Sequence, residues 1–245
     1  MHKQEVDSNK KAFRSSLKKG VKKYWEIEPS QINLNNSEEF VKWEKRLEKY
    51  LRKIDKGEFG IEDMPEFIRD YSGVSFKNRL ESKNYYVIQS KLKMIRSIFA
   101  EYYECSEDEI FIDSYFDIDH KEHDVKDIPY KVIFGDVCLS QKKNKIGSCL
   151  EIIIGDADFS NTDIESIDSI RIIYGYGDFA SSRIKSLGKL RLIGNGASFY
   201  KCKIKDFKSL ENIFGRVEWG ENKKLKKYIK TKQERDNNHK IDYEK

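Results

Sequence analysis

The sequence is poor in proline, histidine and cysteine, and it contains no long apolar run. Among its 245 residues are three prolines, four histidines, four cysteines and fourteen glycines. No segment approaches the ~18 consecutive apolar residues of a membrane-spanning helix, and the few prolines and glycines exclude collagen-like and proline-rich chains. The fourteen phenylalanines, fourteen tyrosines and three tryptophans can still build a core, which argues against a disordered chain.

The scarcity of histidine also argues against an enzyme. Histidine occurs only at His2, His120, His123 and His239, which leaves few places for histidine acid–base catalysis. No P-loop, GxGxxG or nucleophile-elbow sequence is present. We therefore predict a protein that is not an enzyme and that needs no cofactor and no metal.

The cysteines and the N-terminus predict the compartment. Cys105, Cys138, Cys149 and Cys202 form no Cys-x-x-Cys pair and have no histidine at zinc-ligand spacing. The first residues, MHKQEVD, include acids and lack the apolar stretch of a secretory signal. A chain of this length without a signal is typical of the cytoplasm, where thiols stay reduced. We predict a cytoplasmic protein without disulfides.

The charge of the chain is segregated along its length. The net charge is +5, yet residues 1–60 carry +5, residues 61–130 carry −7 and residues 131–245 carry +7. The small total therefore hides an acidic segment between two basic ones. The pI near 8.7 is a poor guide to what the protein binds.

A repeat of twenty residues begins at Lys131 and is the strongest feature of the sequence. The complete blocks are KVIFGDVCLSQKKNKIGSCL, EIIIGDADFSNTDIESIDSI, RIIYGYGDFASSRIKSLGKL and RLIGNGASFYKCKIKDFKSL, and a fifth, ENIFGRVEWGENKKLKKYIK, matches only in its first half. One column holds glycine or asparagine, at Gly135, Gly155, Gly175, Asn195 and Gly215. These two residue types adopt positive φ most readily, so the column predicts a recurrent backbone bend.

The apolar columns of the repeat predict a solenoid. Small or apolar residues stand at Val137, Ala157, Gly177, Ala197 and Val217, and larger ones follow two positions later at Leu139, Phe159, Phe179, Phe199 and Trp219. This period of two indicates a short strand with one buried face. A twenty-residue unit cannot cover its own apolar side, so neighbouring units must stack on one another.

The repeat resembles leucine-rich repeats, especially short bacterial repeats and the receptor-L-domain variant. The resemblance covers about residues 131–220 and is carried by motifs such as IKSLGKLRLIG, at Ile184–Gly194. It implies a solenoid of stacked coils. Repeat scaffolds of this kind generally act by presenting an extended surface to a partner.

The residues before the repeat predict helices, and the fold class is α+β. We expect a helical domain over 1–106 with a basic N-terminal helix at Ser8–Trp25, an acidic junction and capping segment over 107–130, five coils over 131–228 and a polar tail over 229–245. A second helix is expected after Asn36, a third at Met64 and a longer one over Ser82–Tyr103. The second helix has an apolar stripe at Phe40, Trp43, Leu47, Tyr50, Leu51 and Ile54.

The outward positions of the predicted strands form the first candidate surface. They alternate with the buried columns and stack at the strand spacing of about 4.8 Å, so they form ladders on one largely acidic face. We predict that this face binds a partner. Its candidate residues are Asp136, Asp156, Asp158, Tyr176, Asp178, Tyr200, Arg216 and Glu218.

Basic residues form the second candidate surface. Lysine and arginine crowd the N-terminal helix and recur in the polar turns after the strands, which suits contacts to a nucleic-acid backbone. The predicted nucleic-acid-binding residues are Lys10, Lys11, Arg14, Lys18, Lys19, Lys22, Lys23, Arg183, Lys185, Lys201, Lys203 and Lys205. A soluble charged surface without a specific partner is the alternative for either set.

Two metal sites are further alternatives. The segment Asp117–Lys126 holds two histidines and several carboxylates, and its Asp124-Val125-Lys126 end resembles the Asp-x-Lys of a restriction-type nuclease, with Asp117 or Asp119 as the earlier carboxylate. The acidic ladder could gather Ca²⁺, but it lacks the spacing of calcium-binding β-rolls. A solvated acidic loop is the simpler interpretation of the first segment.

These patterns together predict a non-enzymatic regulator or inhibitor that docks on a larger protein or on a protein–RNA complex. Its charge-patterned surfaces suit a bacterial, phage or mobile-element protein, and an anti-CRISPR-like inhibitor would use acidic and basic faces together. Direct binding of RNA or DNA and a metal-dependent nuclease remain the alternatives.

Overall fold

The computed structural model describes residues 37–72, 74, 79, 82–117, 128–139 and 149–241. A helical region is followed by a parallel β-solenoid of about four turns, so the predicted α+β class and the predicted repeat solenoid are confirmed. The basic N-terminal helix predicted over Ser8–Trp25 lies outside the described residues.

The helical region forms where apolar residues recur at helical spacing. Its helices are α1 (Ser37–Asp55), α2 (Met64–Ser72), α3 (Lys83–Leu92) and α4 (Arg96–Tyr103). In α1 the predicted stripe is buried from Trp43 to Ile54, while Phe40 is partly buried. The single helix expected over Ser82–Tyr103 is instead divided between α3 and α4 by a 3₁₀ turn at Lys93–Ile95.

The strands of the solenoid are all parallel, and those of the repeat, from residue 132 on, lie in register at intervals of twenty residues. They are β1 (Ile110–Asp117), β2 (Val132–Cys138), β3 (Ile152–Ile154), β4 (Ala157–Asp158), β5 (Ile172–Ile173), β6 (Gly177–Asp178), β7 (Leu192–Ile193), β8 (Ala197–Ser198), β9 (Asn212–Ile213) and β10 (Val217–Glu218). The long strand β2 pairs with both β3 and β4. It therefore starts a first sheet, β2-β3-β5-β7-β9, and a second sheet, β2-β4-β6-β8-β10.

A stack of aromatic rings fills the inside of the solenoid behind the second sheet. The ring centroids of Phe159 and Phe179 are 5.2 Å apart and those of Phe179 and Phe199 are 5.1 Å apart, with nearly parallel planes. Trp219 continues the stack at 6.2 Å from Phe199. All three phenylalanines have no exposed surface. The repeat thus builds its core by placing a large apolar side chain at one height of every coil, with phenylalanine in the three inner coils.

Both ends of the solenoid are covered. At the start, β1 pairs in parallel with β2, and Phe111 and Tyr130 pack against the first coil. At the end, helix α5 (Lys223–Ile241) buries Leu225 and Ile229 in the solenoid core. Residues 229–241 of the predicted polar tail continue this helix. The fifth block departs from the repeat after its first half because the end of a solenoid must be shielded from water.

The helical region covers the outer face of the first sheet. The outward residues Ile152, Ile154 and Tyr174 belong to the same apolar core as the helices. Phe134 of β2 lies among three aromatic rings, with centroids 5.6 Å from Phe67, 4.5 Å from Tyr71 and 5.0 Å from Phe99. The helices and the coils are therefore joined by a continuous apolar interface.

The glycine column lies at the corner between the two sheets, but positive φ explains only part of it. Gly135 and Gly215 have positive φ, and in the fourth coil Gly196 has it rather than Asn195. At Gly175 the reason is close approach, since a Cβ there would lie 2.3 Å from the Gly155 carbonyl oxygen and 2.3 Å from a carboxylate oxygen of Asp156. The predicted bend recurs at positions 155, 175, 195 and 215, but of these only Gly215 has positive φ.

Replacing Gly175 with alanine should destabilise the protein by about 1–3 kcal/mol, because the new methyl group meets backbone that cannot move aside. Urea denaturation measures the change. Gly60→Ala is the matched control, because a Cβ at Gly60 meets only the end of the Glu62 side chain, which is flexible and exposed. Equal unfolding midpoints for the wild-type protein and Gly175→Ala would contradict the close approach of the coils at this corner.

Candidate functional site

The outer face of the second sheet carries most of the predicted partner-binding residues. We call its described cluster the acidic face and define it as Asp156, Asp158, Tyr176, Asp178 and Glu218. Asp158, Asp178 and Glu218 stand in the same column of β4, β6 and β10, with Ser198 of β8 between the last two. In the described part of the chain, the apolar core of the helical region includes no residue of β4, β6, β8 or β10. The described helices thus add no apolar cover to this face, on which Asp158 and Asp178 are half-buried and Glu218 is exposed.

The side chains of Asp158 and Asp178 bind the backbone of the turn that follows each strand. Asp158 Oδ1 accepts a hydrogen bond from the Ser160 amide at 2.8 Å, and Asp178 Oδ1 accepts one from the Ala180 amide at 2.9 Å. Such aspartate turns tie a side chain to the backbone two residues ahead. One oxygen of each carboxylate is thus used by the fold, and the side chain is held in one orientation.

Asp136 and Asp156, at the corner between the two sheets, accept hydrogen bonds from the next coil. Asp136 Oδ1 accepts the Asp156 amide of the next coil at 2.5 Å, and Asp156 Oδ1 accepts the Tyr176 amide of the coil after that at 2.7 Å. These bonds bridge the gap between the two sheets, where the strand ladder is interrupted. The corner aspartates therefore stabilise the stacking of coils in addition to carrying charge.

The carboxylates of the acidic face influence one another. Burial raises the pKa of Asp178 above its usual value, and the charges of Asp158 and Glu218 raise it further, while the hydrogen bond from the Ala180 amide opposes them. Glu218 also accepts a hydrogen bond from the Ser198 hydroxyl at 2.9 Å. The face is an electrostatically crowded surface whose repulsion a cationic partner would relieve.

The three remaining predicted partner-binding residues beside these carboxylates have different environments. Tyr176 is half-buried, and its ring lies against Gly196, where a Cβ would come within 3.2 Å of it. Tyr200 is 47 % exposed, with Lys201 Nζ 5.2 Å from its ring centroid. Arg216 is exposed at the last coil. At the last two coils the surface therefore carries an aromatic and a basic side chain beside the acid Glu218.

Asp136, predicted as a member of the acidic ladder, is only 4 % exposed and belongs to the interior. It pairs with Arg79, which has no exposed surface, and the same guanidinium lies 3.9 Å from Asp156 Oδ2. Arg79 also donates to the Tyr71 carbonyl at 3.2 Å and lies 5.3 Å from the Tyr71 ring centroid. A buried ion pair therefore joins the helical region to the first coil.

Burial dominates the titration of this pair. Burial and, to a smaller extent, the charge of Asp156 raise the pKa of Asp136, and the guanidinium of Arg79 lowers it. The net result is a pKa of about 6. At neutral pH the carboxylate is ionised opposite Arg79. Sequence reasoning missed Arg79 because no periodicity marks it, and only the fold brings it next to a residue 57 positions away.

The predicted basic edge of the solenoid is partly neutralised by acids. Residues twenty positions apart form ion pairs along it, with 3.0 Å between Arg183 and Asp163 and 2.7 Å between Lys185 and Glu165. Lys203 pairs with Glu221 at 3.4 Å. Lys201 and Lys205 are exposed. The columns that are basic in the third and fourth coils are acidic in the second, so this edge has a less uniform charge than its lysines suggest.

The remaining predicted sites cannot be placed. The seven basic residues from Lys10 to Lys23 and the nuclease-like segment after Asp117 lie outside the described residues. Within the described ranges, no group of three or more histidine, cysteine, aspartate or glutamate side chains could hold a metal ion. None of the four cysteines is joined in a disulfide.

Comparisons with known proteins do not assign the chain to a family. No protein-family model, curated protein or solved structure matches it. Among the described helices, none combines the length and the apolar character that crossing a membrane requires. A functional assignment therefore rests on the geometry of the surfaces.

Proposed function

We propose that this chain is a non-enzymatic binding protein that docks on a basic protein partner through its acidic face. The observation that carries the proposal is the difference between the outer faces of the two sheets. The outer face of the first sheet is apolar and packed under the helices, whereas the second sheet presents carboxylates in register. An ordered row of charge on a sheet outside the apolar core of the helices is a surface suited to recognition.

The rigidity of the carboxylates supports a protein partner. Asp158 and Asp178 are each held by a backbone amide, so little side-chain freedom is lost when a partner binds. Neighbouring rungs are about 4.8 Å apart, a spacing at which lysine or arginine side chains of one partner segment can face successive carboxylates. Complementary charge of this kind accelerates encounter and selects the partner.

The class of the protein is part of the same proposal. The coils are leucine-rich-repeat-like, with Leu187, Leu190 and Leu192 of the IKSLGKLRLIG motif all buried. A regulator or inhibitor that occupies a surface of a larger protein or ribonucleoprotein fits a scaffold of this size. It would act by forming a stoichiometric complex.

Neutralising the acidic face should weaken the complex at least 10-fold without unfolding the protein. The variant Asp158→Asn/Asp178→Asn/Glu218→Gln keeps the side-chain oxygens that accept the turn hydrogen bonds and removes three charges. Losing those contacts corresponds to about 1.4 kcal/mol or more of binding free energy. The measurement has two stages, affinity capture from host extract followed by calorimetric titration of the purified partner.

The matched control removes three exposed charges from the helical region, by Glu58→Gln/Glu62→Gln/Glu101→Gln. It should bind like the wild-type protein. If both triple variants and the wild-type protein bind the purified partner with the same affinity, the acidic face is not the docking surface. If no protein is captured stoichiometrically by the wild-type chain, the proposal of a protein-docking function fails.

A further inference from the structure

Helix α5 presents an unusual face of lysines at the closed end of the solenoid. Its first ten residues, KKLKKYIKTK, contain six lysines and no acid. Leu225 and Ile229 point into the core, and Lys223, Lys226, Lys227 and Lys230 are exposed. We call these four the lysine face. At helical spacing they lie on one side of α5, opposite the two buried residues.

The lysine face is held firmly against the last coil. Asn222, 6 % exposed, accepts a hydrogen bond from the Ile204 amide at 2.9 Å and donates to the Cys202 carbonyl at 2.7 Å. Further along the helix, the Tyr228 hydroxyl donates to the Lys208 carbonyl at 2.8 Å, and its ring centroid is 5.2 Å from that of Phe207. The four lysines are thus displayed from a fixed platform.

Like charges crowd the lysine face of the free protein. Lysines three and four positions apart on a helix repel one another, and cations in the first turn face the positive end of the helix dipole. Among the residues whose side chains the structure describes, no acidic side chain forms an ion pair with any of the four. A concentration of like charge that does not favour the helix points to a functional surface.

We infer that the lysine face binds the phosphate backbone of double-stranded nucleic acid. Lys223 and Lys230 are about 10.5 Å apart along the helix axis at 1.5 Å per residue. That length covers about three axial intervals of 3.4 Å between successive phosphates of one strand, which brings about four phosphates alongside the four lysines. The described part of α5 exposes no large apolar or aromatic side chain, and stacking on such side chains is how single strands are usually bound. Backbone contact to a duplex is the chemistry that this surface offers.

This surface is separate from the acidic face, and the inference does not depend on the protein-docking proposal. The residues predicted for nucleic acid from the sequence lie on the solenoid edge or before residue 37, and none belongs to α5. A charged row at the end of the solenoid therefore adds a site that the repeat pattern does not indicate.

The test is fluorescence anisotropy of the full chain with a labelled 20-base-pair DNA duplex at 50 to 200 mM salt. For four phosphate contacts, the affinity should fall ~100-fold over this range, and the variant with all four lysines changed to glutamine should give a salt slope shallower by about 3–4. The variant with the same four changed to arginine should bind like the wild-type protein. Two duplexes of unrelated sequence should bind equally.

The controls separate the lysine face from overall charge and from other partners. Lys45→Gln/Lys49→Gln/Lys56→Gln/Lys93→Gln removes four exposed lysines of the helical region and should leave the slope unchanged. The neutralised acidic face should also leave duplex binding undiminished. No duplex binding at 50 mM salt, or an unchanged slope in the lysine-to-glutamine variant of α5, overturns the inference. Binding of polyglutamate in place of duplex, or salt-sensitive self-association by sedimentation, would assign the face to an acidic protein or to a second copy and overturn it too.

Discussion

Replacing Arg79 with methionine should destabilise the protein by about 3–5 kcal/mol at pH 7, because it leaves the carboxylate of Asp136 buried without its counter-charge. The loss should appear as a lower midpoint in urea denaturation. It should also be cooperative, since the pair joins the helical region to the first coil and the two share an apolar interface. This is one of the two largest effects that we expect from a single substitution.

The pH dependence of this effect has a defined sign. Burial raises the folded-state pKa of Asp136 to about 6, so the stability linked to this group is greatest at low pH and declines as pH rises from about 4 to 6. Arg79 opposes that rise in pKa, so without Arg79 the pKa goes higher and the decline extends to higher pH. The difference in stability between wild type and Arg79→Met should therefore be smaller at pH 5 than at pH 7.5.

A double variant separates the ion pair from simple loss of packing. Arg79→Met/Asp136→Asn removes both charges and retains the oxygen that accepts the Asp156 amide. It should recover most of the stability that Arg79→Met loses, because no buried charge is left unpaired. If the double variant is as unstable as Arg79→Met, and the single variant shows no pH dependence, the buried charge is not the cause.

Truncating Phe179 to alanine should have a similarly large effect, about 3–5 kcal/mol. Phe179 is the middle ring of the stack and has no exposed surface, so its removal leaves a cavity that takes contacts from Phe159 and Phe199 at once. Thermal and urea unfolding measure the loss. Tyr200→Ala, in the next coil and 47 % exposed, is the control and should change stability little. Near-equal losses for the two variants would contradict a core built on the ring stack.

The sequence predicted the elements that repeat. A column of Phe159, Phe179 and Phe199 at intervals of twenty residues could only be buried together if the coils stack, and the structure stacks them. The stripe from Trp43 to Ile54 likewise predicted α1 and its buried face. Periodicity is informative here because each apolar column must meet its equivalent in the next unit.

The sequence did not predict the contacts that individual polar side chains make with the rest of the fold. The outward column of Asp158 and Asp178 predicted only a charged surface, although aspartate and serine are residue types that fold back onto a backbone amide two positions ahead, as Ser198 of the same column also does. The presence of both residue types in one column is the available signal. Arg79 offered none, because its partner Asp136 is distant in sequence. The lysine face of α5 follows no repeat column, because the fifth block keeps the repeat pattern only in its first half and its second half forms a helix.

These results give the two halves of the acidic ladder different roles. Asp136 stabilises the junction between helices and coils, and Asp156 is shared between that junction and the surface. Asp158, Asp178 and Glu218 each have a second carboxylate oxygen that the hydrogen bonds described above do not use, and we propose that these oxygens contact the partner. Substitutions along the ladder should therefore divide into those that unfold the chain and those that only weaken binding.

The most direct test of the acidic face as the docking surface is carbodiimide labelling of carboxylates, read by mass spectrometry, in the full chain with and without its captured partner. Binding should reduce the labelling of Asp158, Asp178 and Glu218 severalfold and leave Glu58, Glu62 and Glu101 unchanged. Unchanged labelling of the first three in a saturated complex, with protection confined to carboxylates of the helical region, would contradict the account.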